Sequence, residues 1–207
     1  MLSASIAASS TGFTCPSYGR LRQPSVSSAR FSIGEYAGLW YLLATTEPTL
    51  PTFCKCGMNN VSLHFSSGEY TYTSTNICGK SLPISVRIKG KLSDDPSSPG
   101  LLHEQAAIFN HTMAPLDPYF IFRVGRSSSG SLETIFSYAC LGRIPPVFGS
   151  EAFSFNVLGR SRNVSAEAIE AMVAAANQSV EAAGVRLDLG NMRINDQAVW
   201  RGCGFRY

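Results

Sequence analysis

Charge is what this 207-residue chain has least of: Asp, Glu, Lys and Arg together make up 15%, against about 25% in ordinary soluble proteins. The polar surface must then come from Ser, Thr, Asn and Gly, as in many extracellular β proteins. Seventeen basic and fourteen acidic residues leave a net charge of +3, and Arg20, Arg22 and Arg30 are spread through a Ser/Pro segment rather than massed. Without a basic block there is no electrostatic footprint for nucleic acid. No run approaches the roughly 18 apolar residues of a membrane span, so no integral membrane segment is expected. There are only three histidines. His64, His103 and His111 lie far apart, none beside a cysteine, and each reads as a surface residue of a strand or loop rather than a ligand.

Catalytic patterns are missing as well. His103-Glu104 opens like a zinc-protease motif, but Ala107 stands where the second histidine is needed. Ser127 follows Gly125, yet Ser129 occupies the glycine position of a nucleophile elbow and no helix follows. The expectation is a protein that is not an enzyme and carries neither cofactor nor metal.

What is present is cysteine, in an even number: Cys15, Cys54, Cys56, Cys78, Cys140 and Cys203. Zinc sites show C-x₂₋₄-C pairs, and the one close pair here is a C-x-C, so three disulfides are the better reading. Cys54 and Cys56 read as two disulfide halves in one loop. Sequons at Asn60, Asn110, Asn163 and Asn177 point the same way, toward a glycoprotein in an oxidising compartment. Residues 1–30 are Ser-rich and poor in acids without a clear signal-peptide core, and read as a flexible tail or targeting segment. Secretion and a plastid lumen both stay open. The remaining 31–207 are of a length for one domain.

From Phe31 to Gly142 the chain is a succession of Val-, Ile-, Thr-, Tyr- and Phe-rich runs broken by Gly, Pro, Ser and Asp. Eight strands are expected, at Leu39–Thr45, Val61–Phe65, Tyr70–Thr75, Ile84–Leu92, Leu101–Phe109, Tyr119–Val124, Leu132–Cys140 and Phe153–Gly159. Short connections favour an all-β, antiparallel up-and-down barrel, whose interior suits side chains or one small ligand. One segment has helical period: Ile169, Met172, Val173, Ala176 and Val180 form a stripe, with Ser165 to cap it and Gly184 to end it. That helix must lie on the outside of the barrel. A short last strand, Val185–Leu189, and an irregular tail should follow.

Phe31, Tyr36, Gly38, Trp40 and Tyr41 form an F-x₄-Y-x-G-x-W-Y opening. With Asn60 to Leu63, Asn76, Pro118-Tyr119-Phe120 and the Leu158-Gly159-Arg160 run before the helix, this ordered set resembles the lipocalin family, most of all its apolipoprotein D-like and chloroplastic branch. The resemblance covers residues 31–203. One departure is Val124-Gly125-Arg126 and its Ser-rich insertion, where the family usually has T-D-Y. The resemblance implies that Trp40 closes one end of the barrel with Arg160 packed across its indole. It also implies the pairings Cys15–Cys140, Cys54–Cys78 and Cys56–Cys203.

The expected function is binding and carriage of a small hydrophobic ligand, such as a fatty acid, lysolipid, sterol-like or isoprenoid molecule, by a monomer, with room for transient membrane contact. Alternation relative to Trp40 sends Leu42 and Ala44 inward, and the same period-two logic makes Val61, Leu63, Tyr72, Asn76 and Asn156 pocket candidates. Asn76 and Asn156 matter because one or two polar groups in an apolar pocket orient an amphiphile. A lipocalin-fold enzyme acting on a lipid or carotenoid would need an ionisable group inside, and these candidates supply none. A ligand-free structural or signalling barrel is the other alternative.

Overall fold

Strand-forming runs separated by short polar turns fold here into one sheet that closes on itself. The computed structural model describes residues 15–48, 50–79, 82–108, 111–112, 117–140, 153–187 and 189–203, with the side chains of 106–108, 111–112 and 140 outside the description. The strands are β1 (Gly38–Thr45), β2 (Cys54–His64), β3 (Glu69–Cys78), β4 (Leu82–Leu92), β5 (Leu101–Ile108), β6 (His111–Thr112), β7 (Asp117–Arg126), β8 (Leu132–Cys140), β9 (Phe153–Gly159) and β10 (Arg193–Ile194). Neighbours in sequence pair antiparallel from β1 through β5, then β5 pairs with β7, β7 with β8 and β8 with β9. The β1–β9 ladder, with Tyr41 opposite Gly159 and Leu42 opposite Leu158, closes an eight-stranded up-and-down barrel. The short β6 folds back on β5, and β10 adds to β1.

The barrel has an inner and an outer apolar layer because strand side chains alternate. Trp40, Leu42, Val61, Tyr70, Tyr72, Leu102, Tyr119, Ile121, Ile135 and Leu158 pack together inside. Leu43, Phe120, Phe122, Phe136, Phe155 and Val157 face outward and are covered by α2 (Ala166–Glu181). The buried stripe of α2 is Ile169, Val173, Ala176 and Val180. Ser165 Oγ accepts from the Ala168 amide at 3.3 Å to cap its start. Gly184, at φ +74°, turns the chain out at its end, a conformation that costs a residue with a Cβ. Arg123 ties helix to sheet, donating to Ala175 O at 2.7 Å and Ser179 Oγ at 2.9 Å.

Four expectations need correction. Residues 17–30 do not trail as a flexible tail: α1 (Tyr18–Leu21) and a following 3-10 turn bury Tyr18, Leu21 and Val26 against the barrel, while residues 1–14 lie outside the described residues. Among the described residues of the expected strand Val185–Leu189, which are 185–187 and 189, none is in a strand. Val185 and Leu187 are buried alternately against the helix-side layer without a ladder partner, so the period-two signal there is burial without pairing. The tail is not irregular, since α3 (Gln197–Arg201) is capped by Asp196, whose carboxylate accepts from the amides of Ala198 and Val199. Cys54 and Cys56 lie on β2, not in a loop. Cys56 has φ 56°, and the register with β3 shifts between Lys55 and Met58.

Candidate ligand-binding site

The closed end is built from the residues before β1. Ser32 and Glu35 form a capping box for the 3-10 turn Ile33–Tyr36, which lays Tyr36 across the barrel floor. The indole N–H of Trp40 donates to Tyr36 O at 2.8 Å. Beneath the indole, the Arg160 guanidinium carbon sits 3.7 Å from the ring centroid, and its nitrogens donate to the carbonyls of Leu39, Glu35 and Ala37 at 2.7–2.8 Å. A planar guanidinium can stack and donate to three carbonyls at once, which an ammonium cannot. Arg126 pairs with Glu35 at 2.6 Å and holds its carboxyl below the usual carboxylate range.

Register defines the wall above this floor. Residues opposite one another across an antiparallel ladder share a face, so from Trp40 the inward set runs through Asn59, Ser74, Val86, Ile88 and Glu104 to Asn156. Trp40 is fully buried, whereas these six are half-buried. Inward-facing side chains on several strands, Glu104 among them, keep accessible surface.

Glu104 is the chemical centre of that wall. Tyr70, Gly90 and Glu104 stand in one row across β3, β4 and β5. A Cβ on Gly90 would fall 2.2 Å from the Tyr70 ring, so only glycine lets the tyrosine lie across β4 to reach Glu104. Tyr70 Oη donates to Glu104 Oε1 at 2.7 Å and Tyr72 Oη to Oε2 at 2.9 Å. The two tyrosine rings are stacked, with centroids 6.3 Å apart. Burial pushes the Glu104 carboxyl up to about 7, against the opposing pull of the two tyrosine hydrogen bonds. Burial likewise pushes the phenols of Tyr36, Tyr70, Tyr72 and Tyr119 up, so they remain neutral donors.

The pocket candidates divide. Leu42, Val61, Leu63, Tyr72, Asn76 and Asn156 face inward by register. Val61 and Leu63 pack low, among the floor aromatics. Asn156 is occupied with its neighbours, accepting from Thr45 Oγ1 at 2.6 Å and donating to Ser154 Oγ at 2.7 Å. Asn76 is buried at 7% exposure, and its Oδ1 has no hydrogen-bond partner. Ala44 is the exception and belongs to the helix-side layer. Between Leu42 and Ala44 the register with β9 slips by one, so Ala44 shares its face with Val157 and Thr45 turns inward in its place.

Sequence reasoning missed Glu104, Tyr70 and Tyr36. The available signal was the parity of Leu102, Glu104 and Ala106, read with Gly90 across the β4–β5 turn. At the rim, Phe53, Leu82 and Ile84 are exposed large apolar residues, held beside the Cys54–Cys78 bridge. Cys56–Cys203 joins β2 to the tail after α3. Cys15 is also disulfide-bonded; the side chain of its expected partner, Cys140, lies outside the described residues, as does the sequon at Asn110. No helix among the described residues is long and apolar enough to cross a membrane.

No family model matches the sequence, and no curated protein matches it. Solved structures do. Apocrustacyanin C1 superposes with a TM-score of 0.57 at 20% identity, covering 89% of this chain and 88% of that one. Insecticyanin from the tobacco hornworm Manduca sexta gives 0.55 at 13% identity, over 88% of this chain and 86% of its own. This chain has the lipocalin fold. Lobster apocrustacyanin A1 matches more narrowly, at TM-score 0.51 and 20% identity over 79% of this chain and 78% of that one.

Proposed function

We propose that this lipocalin-fold barrel binds and carries a small, largely apolar molecule in its interior, and that the chain belongs to the lipocalin family near the apolipoprotein D-like and chloroplastic branch. The observation that carries the reading is the set of inward residues with accessible surface, Val86, Ile88 and Asn156 among them, above a floor sealed by Trp40 and Tyr36. Where Val86 and Ile88 offer apolar surface beside the polar Asn59, Ser74 and Asn156, an apolar ligand with a few polar groups gains by entering. Leu42, Val61 and Tyr72 supply apolar wall, and Asn76 and Glu104 supply the few polar groups that orient an amphiphile. Sterol-like, isoprenoid and lysolipid molecules are candidate classes. The branch assignment draws support from the F-x₄-Y-x-G-x-W-Y opening and from two cysteine pairs that join as that resemblance implies. Disulfides also support an oxidising compartment, by secretion or in a plastid lumen.

The test is a panel titration of delipidated, folded protein with sterols, retinoids, lysolipids and long-chain alcohols, followed by the tryptophan emission that Trp40 and Trp200 share. Saturable quenching at micromolar concentration is expected, since a ligand of about twenty heavy atoms at roughly 0.3–0.4 kcal/mol each reaches that affinity. Absence of binding across the panel would favour a filled structural barrel.

A further inference from the structure

We propose that Glu104, flanked by Tyr70 and Tyr72 at the bottom of the barrel, is the seat of a protonated amine, so that the barrel selects amine-bearing amphiphiles over fatty acids. This deepens the carrier reading and rests on it.

Three observations converge. First, each Glu104 oxygen accepts one tyrosine O–H, which leaves lone pairs on both oxygens for further donors. Second, the charged and titratable groups facing Glu104 from the elements around it are Tyr36 before β1, Glu47 after β1, Tyr70 and Tyr72 on β3, and Tyr119 on β7. None of these is a cation, and Glu47 adds negative potential. Buried carboxylates are ordinarily paired, so among the described residues this one lacks the partner that an ammonium would supply. The Tyr36, Tyr70 and Tyr72 rings beside it, with Tyr36 6.2 Å from Tyr70 between centroids, also suit a cation, because aromatic faces attract positive charge. Third, Asn76 Oδ1 is buried without a partner. It lies four residues from Tyr72 on β3, about 13 Å toward the mouth at 3.3 Å per residue. That atom accepts only, so it too calls for an N–H or O–H on the ligand. A fatty acid would instead bring a second carboxylate beside Glu104, where Glu47 already adds negative potential.

The experiment compares dodecylamine, dodecanol and dodecanoate, below their aggregation concentrations, by calorimetry on the full chain and on Glu104→Gln between pH 5 and pH 8. In the parent protein at pH 8 the amine should bind roughly tenfold or more tighter than the alcohol, as a charge-assisted contact warrants. Because a proton competes for the same carboxylate, that preference should fall by up to about tenfold per pH unit below pH 6. Glu104→Gln should bind amine and alcohol alike, without pH dependence. Equal, pH-independent binding of amine and alcohol by the parent overturns the inference and leaves the carrier reading standing. Alcohol or dodecanoate binding best, and losing that advantage in Glu104→Gln, also overturns it, by making Glu104 a proton donor. Binding of none of the three by folded protein counts against the carrier reading itself. Should Glu104→Gln fail to fold, calorimetry of the parent in buffers of different ionisation enthalpy replaces it: proton release on amine binding at pH 7 is expected, and no proton exchange overturns the inference.

Discussion

Replacing Glu104 by Gln keeps the side-chain shape and removes one buried ionisation, so its effect on stability should depend on pH with a definite sign. Burial raises the folded-state carboxyl from 4.5 to about 7. A carboxyl raised in this way holds its proton more tightly folded than unfolded. Its contribution is therefore fully present below pH 4.5, is lost as pH rises toward 7, and stays lost above it. At 1.36 kcal/mol per pH unit the displacement amounts to about 3 kcal/mol. Other titrating groups cancel in the difference between the two proteins. Glu104→Gln should thus gain about 2–3 kcal/mol relative to the parent between pH 4.5 and pH 8. Part of that gain is offset at every pH, because the amide gives the two tyrosines one acceptor oxygen where the carboxylate gives two. Urea unfolding at pH 5, 6, 7 and 8, with disulfides intact, measures the difference directly. A difference that is flat over this range, or that moves against the variant as pH rises, would refute the assignment of Glu104 to a buried site without a counter-cation.

Gly90→Ala places a methyl group within the Tyr70 ring. It should cost about 1–3 kcal/mol by overpacking and change the Glu104 titration followed by carboxyl NMR. Trp40→Ala should cost about 3–5 kcal/mol, read as an early melt, because the residue is fully buried under Tyr36 and over Arg160; an unchanged melting temperature would make Trp40 a ligand contact instead of the floor. Asn76→Leu removes an unpartnered buried acceptor and should leave stability equal or raise it by about 1 kcal/mol, in the same denaturation assay, while weakening ligands that carry a donor. Non-reducing peptide mapping should find Cys54 joined to Cys78 and Cys56 to Cys203, and loss of the longer bridge should cost about 2–5 kcal/mol.

The barrel was legible in the sequence because its strands carry strong local signals: β-branched and aromatic runs, and turns rich in Gly, Ser and Pro. The helix was legible for the same reason, its stripe recurring over four turns. What escaped was set by pairing between strands. The slip between Leu42 and Ala44 reverses the face of every later residue of β1, and nothing in Leu-Leu-Ala-Thr marks it. Cys56 creates a second irregularity, at the start of β2, where a C-x-C reads as loop. Glu104 was hidden because His103, Glu104 and Gln105 are all polar and show no alternation. Its inward face follows from Gly90 opposite it, a relation that spans the β4–β5 turn. Val185 and Leu187 misled in the reverse sense, by burying alternately without being in a strand. The two-residue β10 was too short to carry a period.

The central claim is that a small apolar molecule occupies the inside of this barrel, and methyl NMR during titration with a sterol or a long-chain amphiphile tests it most directly. Leu42, Val61, Val86 and Ile88 face inward, while Leu43, Val157, Ile169 and Val173 lie in the outer layer under α2. Saturable shifts in the first four methyl-bearing residues, with the second four unmoved, are the predicted result. Shifts confined to the outer layer or the rim residues Leu82 and Ile84, with Val61 and Ile88 unchanged at saturation, would contradict it.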